Sequence, residues 1–424
     1  MKQDEIKNIH KAIADNNVKF IKLFFCDCLG ELKCIEIGVS NLGSALENKI
    51  MFDGSSVKGF SSVEKADTLL KPDLGSFRLL PLFNSGFGAV ACFFCDVISA
   101  NGTQIKDSRS GLKAMLAELG KYGFDTVNIG FEPEFFLLKA AGSFADCGGY
   151  DSSNESVVSA CKREMCYRLE EAGIIPTTSH HENAYGQHEV NFKHSPAVTA
   201  CDNILLFKHI AKFVAGRHGF KITFMPKPYN GQAGNGLHTN ISLQSRGKNL
   251  FAGKNKKLSM LAKKFISGVL HHAEALSVVT NPTVNSYKRL NSGFEAPRNI
   301  CYSTANRSAL IRVPKAYGES ARIEVRNVDA SANPYLAAMA LTAAGTDGIR
   351  GSVPIQKEFV GNAYNFPPGL PATLGQAIDC FVGSGLEELL QPYLPDAYIG
   401  LKRAEADEAE RVVTEWELDR YFEV

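Results

Sequence analysis

The sequence predicts a protein of the α+β class that is built from two structural units. The first hundred or so residues consist mainly of strand-like segments separated by turns, which is typical of a small sheet-rich unit. From there on, amphipathic helical segments alternate with strands, which suits an α+β or barrel-like domain. A chain of 424 residues also has enough material for more than one core. We therefore place the division at residues 1–103 and 104–424.

In the first unit, the pattern predicts a short helix over residues 5–16 and a strand over 18–25. A turn and a second strand over 32–37 follow, so the two strands should form a hairpin. Residues 51–56 have the sequence Met-Phe-Asp-Gly-Ser-Ser and end in small residues. They predict a loop in which Asp53 bonds to its own backbone.

In the second unit, apolar residues recur at helical spacing in several segments. The predicted helices cover 112–122, 156–172, 197–217, 257–279, 334–349 and 397–415. Residues 139–154 are rich in Gly, Ser and Asp and predict a loop.

Composition excludes several classes of partner. The net charge is +1, without a basic run, which argues against nucleic acid and anionic membranes. The charged residues 1–11 carry no apolar signal core, and no stretch is long enough for a membrane span, so we expect a cytoplasmic protein. The pairs Cys26/Cys28 and Cys92/Cys95 resemble zinc half-sites, but their strand-like surroundings favour reduced core thiols.

Two glutamates lie in the apolar run from Ile129 to Leu138. Glu132 and Glu134 are two positions apart, so on a strand they leave the same face. Burying two like carboxylates together is costly unless a cation neutralises them. The alternative is an edge strand with one hydrated face, which Pro133 permits.

The segment from His180 to Phe192 contains two more glutamates. Gly186 allows a tight turn, so Glu182 and Glu189 can face one cavity. A hydrated loop before a strand is the alternative. Further on, the glycines of 231–236 allow backbone amides to approach an anion or substrate, although their order is not the dinucleotide fingerprint.

Arginine and glutamate alternate with apolar residues from Arg322 to Arg326. One strand face therefore carries two cations that flank Glu324. On a hydrated edge this is an ordinary salt-bridge ladder. On a cavity wall it is a phosphate clamp around a metal ligand, because guanidinium groups match phosphate oxygens.

Together these segments resemble the glutamine synthetase family, in its bacterial twelve-subunit class. The runs that carry the resemblance are Met51–Ser56, Phe131–Leu137, His180–Glu189, Phe224–Leu243, Asn281–Leu290, Gly293–Pro297, Asn306–Pro314 and Arg322–Leu336. They occur in family order over most of the chain. The resemblance implies an N-terminal β-grasp domain followed by a catalytic domain with a partial barrel of antiparallel strands flanked by helices.

The resemblance also implies two divalent cations, Mg²⁺ or Mn²⁺, in each active site. Glu134, Glu182 and Glu189 would hold one ion. Glu132, His238 and Glu324 would hold the other. Oxygen-rich sets of this kind suit both metals. The implied reaction uses ATP to join ammonia to the γ-carboxylate of L-glutamate through γ-glutamyl phosphate.

The same resemblance implies roles for other residues. The remaining catalytic and binding residues are Arg307 and Arg326 at the phosphoryl group and the substrate, Gly234 and Arg289 at glutamate, Asn240, Ser242, Arg312 and Arg322 at ATP, and Asp53 and Glu295 at ammonium. The family builds its active sites between subunits, so the expected protein is a homo-oligomer of two stacked hexameric rings in which Asp53 acts in trans.

Several positions depart from the family pattern, namely Ala233, Asn240, Ala305 and Glu319. They bear on substrate affinity more than on reaction type. Tyr364 lies near a position that is adenylylated in some relatives, but its flanking residues match only partly, which argues against that regulation. Two alternatives stay open: a ligase that joins glutamate to a polyamine or other amine, and an inactive family member that serves as a structural or regulatory assembly.

Overall fold

The computed structural model describes residues 2–103, 105–139, 142–150, 157–291, 293, 296–351 and 353–424. The α-helices in these ranges are α1 Lys2–Asp15, α2 Leu42–Leu46, α3 Ser108–Glu118, α4 Val157–Glu171, α5 Ala197–Arg217, α6 Met260–His271, α7 Ala273–Thr280, α8 Val284–Leu290, α9 Pro334–Arg350, α10 Leu374–Phe381, α11 Gly385–Leu390, α12 Tyr398–Arg411 and α13 Glu415–Tyr421. The strands are β1 Val18–Cys26, β2 Leu32–Gly38, β3 Ile50–Asp53, β4 Asp67–Pro72, β5 Arg78–Leu79, β6 Ala89–Ser99, β7 Thr126–Lys139, β8 Pro176–His181, β9 Gln187–Phe192, β10 Ser195–Pro196, β11 Phe220–Thr223, β12 Leu237–Ser245, β13 Lys248–Asn249, β14 Tyr302–Thr304, β15 Ile311–Val313 and β16 Ile323–Val325.

The N-terminal sheet has the strand order β2-β1-β6-β4-β3, and β5 also pairs with β6. Its two central strands, β1 and β6, run parallel, and the neighbouring pairs are antiparallel. This is the expected β-grasp arrangement, and the predicted β1–β2 hairpin is confirmed. Alternation along β6 places Cys92 in the main core and Cys95 in the small core under α1, on opposite faces of the sheet.

The second sheet curls into a half-barrel with the order β14-β15-β16-β12-β7-β9-β8, flanked by helices. Strand β7 lies inside this sheet, between β12 and β9, so the edge-strand alternative is wrong. Pro133 is the last residue of β7 that pairs with β12, and Glu134 is the first that pairs with β9. The proline is therefore accommodated where the strand changes partners. Together the two sheets confirm the α+β fold class.

Two helix predictions need correction. The helix predicted over 257–279 is divided into α6 and α7 at His272, whose ring bonds to Asp347 in α9 (Nε2 to Oδ2, 2.9 Å). The helix predicted over 397–415 ends at Arg411, because Thr414 caps a separate helix, α13, through a capping box with Glu417. Among the residues that the structure describes, no helix is long and apolar enough to cross a membrane.

A buried ion cluster joins the N-terminal sheet to the helices of the second unit. Arg109, at the start of α3, donates to both carboxylate oxygens of Asp202 in α5, each at 3.0 Å. It also donates to Asp96 of β6 at 2.6 Å and to Asp73 at 2.9 Å. The Tyr335 hydroxyl in α9 donates to Asp202 at 2.5 Å. Four elements are thus held around one guanidinium group, whose side chain is only 2% exposed.

Candidate active site

Strand pairing places the predicted metal ligands side by side. Glu132 on β7 lies opposite His238 on β12, and Glu134 lies opposite Glu189 on β9. On the far side of β12, Glu324 of β16 lies opposite Asn240, two residues after His238. Because alternate residues share a face, these side chains all emerge on one side of the curled sheet.

The ligand atoms lie close enough to share cations. His238 Nδ1 is 3.6 Å from Glu132 Oε2 and 3.8 Å from Glu324 Oε1, and its Nε2 is 3.8 Å from Glu134 Oε1. The other two candidate ligands, Glu182 and Glu189, both lie beside the ring of His180. His180 Nε2 is 2.8 Å from Glu182 Oε1 and 3.5 Å from Glu189 Oε1.

These side chains, except Glu324, line a cavity of about 500 Å³, which we call the carboxylate cavity. Its walls also carry four arginines, Arg289, Arg307, Arg312 and Arg326. Glu324 lies behind the wall and is 1% exposed. It pairs with Arg326 Nη1 at 2.6 Å and with Arg312.

Two of these carboxyl groups have raised pKa values, because they are buried and several carboxylates lie close together. Burial, together with Glu134, Glu132 and Glu182, raises the pKa of Glu189 to about 9. Burial also raises the pKa of Glu134. A group of carboxyl groups that cannot all ionise together is what a bound divalent cation would neutralise. The oxygen-rich donor set with one imidazole suits Mg²⁺ or Mn²⁺, so the residues fit these ions.

Glu132 behaves differently from Glu134 and Glu189. Burial alone would raise its pKa, but the His238 ring and the Asn240 amide outweigh burial and lower the pKa of Glu132 to about 2. The Asn240 Nδ2 donates to Glu132 Oε1 at 2.9 Å. This carboxylate is therefore ionised and oriented before any ligand arrives.

Close backbone packing shapes the wall around Glu134. The amide of Gly236 donates to Glu134 Oε2 at 2.6 Å. At Gly234, a Cβ atom would lie 2.2 Å from the Pro226 carbonyl oxygen and 2.9 Å from Arg289 Cγ. The glycine is therefore required by the close approach of the Pro226 carbonyl and of Arg289, whose Nη1 donates to the Asn327 carbonyl at 2.8 Å.

A neighbouring cavity of about 390 Å³ meets the carboxylate cavity at Glu132 and Asn191. Its lining includes Asn240, Ser242 and Arg322, three of the residues predicted to bind ATP. Arg322 Nε donates to Asn240 Oδ1 at 2.9 Å, so a chain of hydrogen bonds runs from this cavity to Glu132. Arg312, the fourth predicted ATP residue, lines the carboxylate cavity instead.

Comparison with known proteins agrees with this geometry. Residues 17–100 match the family described as glutamine synthetase, beta-Grasp domain, and residues 105–421 match glutamine synthetase, catalytic domain. The chain belongs to the glutamine synthetase family. Glutamine synthetase of Staphylococcus aureus strain Mu50 is 40% identical over 436 residues, which cover 98% of each chain. That of Staphylococcus epidermidis is 40% identical over 435 residues, covering 98% of this chain and 97% of the relative.

Two solved structures illustrate the likeness in three dimensions. Apo GmaS superposes with a TM-score of 0.88 at 31% identity, covering 97% of this chain and 98% of GmaS. The cryo-EM structure of Plasmodium falciparum glutamine synthetase gives a TM-score of 0.86 at 25% identity and covers 98% of both chains.

Not every residue expected from the glutamine synthetase family lies at the cavity. Asp53 is exposed, its carboxylate bonds to Ser55 and Ser56, and it is not among the described residues that line either cavity. Glu295, the other residue predicted to bind ammonium, lies outside the described residues.

Sequence reasoning missed other residues of this site. His180 and Asn191 both contact the metal-ligand candidates. Asn191 Nδ2 donates to Glu189 Oε1 at 2.7 Å, and both residues line the carboxylate cavity. The signal was present, because each lies two positions from a glutamate on the same strand or its continuation.

Proposed function

We propose that this protein joins ammonia to the γ-carboxylate of L-glutamate with ATP and releases L-glutamine, ADP and phosphate. The observation that carries the proposal is the arrangement of the carboxylate cavity. Buried carboxylates and one imidazole lie within ligand distance of one another and are surrounded by guanidinium groups. Reaction between two anionic substrates needs such positive charge around the transferred group.

The proposed roles follow the charges of the residues. Glu134, Glu182 and Glu189 would hold one divalent cation, and Glu132, His238 and Glu324 would hold a second. When bound, these ions neutralise phosphate charge during transfer. The other proposed residues are Gly234, Arg289, Arg307 and Arg326 for glutamate and its phosphoryl group, and Asn240, Ser242, Arg312 and Arg322 for ATP.

The second half of the proposed reaction requires a site for ammonium. We assign this role to Asp53 and Glu295, since a carboxylate attracts ammonium and can accept its proton. The ammonia nitrogen then attacks the acyl carbon of γ-glutamyl phosphate, and phosphate leaves.

Because Asp53 is not among the described residues that line the carboxylate cavity or its neighbour, we propose that it completes the site of a neighbouring subunit. The proposed assembly is two stacked hexameric rings. The proposed use of ATP fits a cytoplasmic location, which we also propose. We retain 1–103 and 104–424 as the proposed domain division.

A second candidate is ligation of glutamate to an organic amine. The specific observation in its favour is the likeness to GmaS, a γ-glutamylmethylamide synthetase, at 31% identity over nearly the whole chain. The greater identity of 40% to glutamine synthetases supports the ammonia reaction.

Phosphate release from ATP and glutamate tests the proposal. Ammonium, methylamine and putrescine are supplied in parallel, with Mg²⁺ or Mn²⁺, and the amide product is identified by mass spectrometry. We expect the highest kcat/KM with ammonium and glutamine as the product. Turnover with an amine but not with ammonium would overturn the proposal in favour of the amine ligase. No turnover with any of them would favour the inactive assembly.

A further inference from the structure

A second group of metal-ligating side chains lies on the opposite face of the β8–β9 hairpin. His180 pairs with Glu189 and contributes to the carboxylate cavity, whereas the next pair in register is His181 with His188. Successive residues of a strand point to opposite faces, so this second pair is directed away from the cavity. The His188 ring lies beside Phe135, with ring centroids 6.0 Å apart.

Asp146 completes this group from the neighbouring segment 142–150. Its Oδ1 atom is 2.9 Å from His181 Nε2 and 3.3 Å from His188 Nε2. The three ligand atoms all lie within 4.8 Å of one another. The side chains are largely withdrawn from solvent, at 12% exposure for Asp146, 9% for His181 and 0% for His188.

The hydrogen bond on the other side of the His181 ring fixes the role of its Nε2 atom. His181 Nδ1 contacts the carbonyl oxygen of Glu182, which can only accept a hydrogen bond, so Nδ1 carries a proton. Nε2 is therefore the ring nitrogen that is available to a cation beside the carboxylate of Asp146. Metal-bound histidines show this pattern, since they donate their other N–H to a carbonyl or carboxylate.

His188 supplies an independent observation. Its side chain is completely buried, and within the described part of the chain neither ring nitrogen makes a contact with full hydrogen-bond geometry; Nε2 has only the 3.3 Å contact with Asp146 Oδ1. A buried polar atom without a partner is costly and rare in native proteins. Coordination of a cation by Nε2 would give this buried nitrogen a partner.

We propose that Asp146, His181 and His188 bind one divalent transition-metal ion of the Zn²⁺ type. Two imidazoles and one carboxylate form a donor set for zinc, unlike the oxygen-rich set in the carboxylate cavity. The ion would tie segment 142–150 to the β8–β9 hairpin. Tyr150 of that segment stacks on His180, with ring centroids 5.0 Å apart, so the ion also supports one edge of the carboxylate cavity.

Zinc retention by the full chain tests the proposal. The protein is stripped with a chelator, dialysed against Zn²⁺ in excess Mg²⁺, desalted and analysed by inductively coupled plasma mass spectrometry. We expect the wild type to retain about one more zinc per chain than Asp146→Asn or His188→Gln. The matched control is His272→Gln, which removes another histidine paired with an aspartate, at 2.9 Å, and should retain as much zinc as the wild type. Equal zinc in all four proteins would overturn the proposal.

A measurement on the wild type removes the dependence on variant folding. Co²⁺ replaces Zn²⁺ in the stripped protein, and its X-ray absorption spectrum and visible d–d bands are recorded. We expect scattering from two imidazoles and the intense bands of a low-coordinate site. Spectra that show only six oxygen ligands would contradict the proposal. Neither experiment requires turnover, so each is independent of the proposed function.

Discussion

At the scale of single residues, Glu324 shows how the site balances charge. Its carboxylate is 1% exposed and accepts from Arg326 at 2.6 Å, while Arg312 and His238 approach from other sides. Removing this charge leaves two guanidinium groups without their partner and takes one oxygen donor from the proposed cation site. The residue therefore connects the proposed metal to the arginines of the cavity wall.

We predict that Glu324→Gln, which preserves size and removes the charge, lowers kcat by roughly a thousandfold or more, because cation binding and arginine positioning both fail. Isothermal titration calorimetry with Mn²⁺ should show the loss of one site. The control is Glu47→Gln, which alters an exposed pair with Lys49 and should leave both measurements unchanged. Wild-type kcat and full Mn²⁺ binding in Glu324→Gln would contradict this role.

The residues of the site were predictable in part. Alternation within one strand indicates that Glu132 and Glu134 share a face, and the same rule would have found His180 and Asn191. The pairing of Glu132 with His238 is different, because the two residues are far apart in sequence and their register is set by the whole sheet. Without the family resemblance, local patterns could not have joined them.

At the scale of elements, the Arg109 cluster determines how the N-terminal sheet docks on the helices. The guanidinium group contacts carboxylates from both units while its side chain is almost entirely buried. Lys113, one turn later on α3, contacts two of the same carboxylates, Asp73 at 3.2 Å and Asp96 at 2.6 Å, but its side chain is 36% exposed. Arg109 and Lys113 therefore contact the same two carboxylates, but the Arg109 side chain is buried and the Lys113 side chain is partly exposed.

We predict that Arg109→Met lowers the free energy of unfolding by about 3–5 kcal/mol, because it leaves Asp202 buried without its counter-charge and Asp96 with Lys113 alone. Lys113→Met should cost about 1 kcal/mol or less, since solvent screens its ion pairs. Urea denaturation followed by circular dichroism gives both values. Equal losses of unfolding free energy in the two variants would contradict the prediction that the buried ion pairs contribute more to stability than the exposed ones.

Elements were predicted best where local patterns decide them. Helix α5 has the predicted bounds, and the β1–β2 hairpin forms as expected, because periodicity and turn residues agree there. The sequence of 257–279 predicts one helix, but the structure has two helices that meet at His272. The His272 ring bonds to Asp347 of α9 at this point. Tertiary contacts of this kind leave no local signal.

At the scale of the whole molecule, one question concerns where Asp53 acts. Its carboxylate is exposed on the N-terminal sheet and is held by Ser55 and Ser56. Those bonds lower its pKa, so the group is an ordered anion at neutral pH. It faces neither described cavity of its own chain. An ordered anion on the surface is accessible to a neighbouring subunit, as the proposed shared site requires.

We predict that two inactive variants complement each other when they assemble together. Asp53→Ala lacks the proposed ammonium ligand, and Glu324→Gln lacks a proposed metal ligand, so homo-oligomers of either should be inactive. In a mixed oligomer, some sites combine the intact N-terminal sheet of one subunit with the intact cavity of its neighbour, and activity should return to about a quarter of the wild-type value for random mixing. The variants are co-expressed with different affinity tags, purified through both tags and assayed, with native mass spectrometry to measure assembly size. Mixed assemblies that stay inactive would contradict the shared site, because a site contained in one chain can never be repaired by its neighbour.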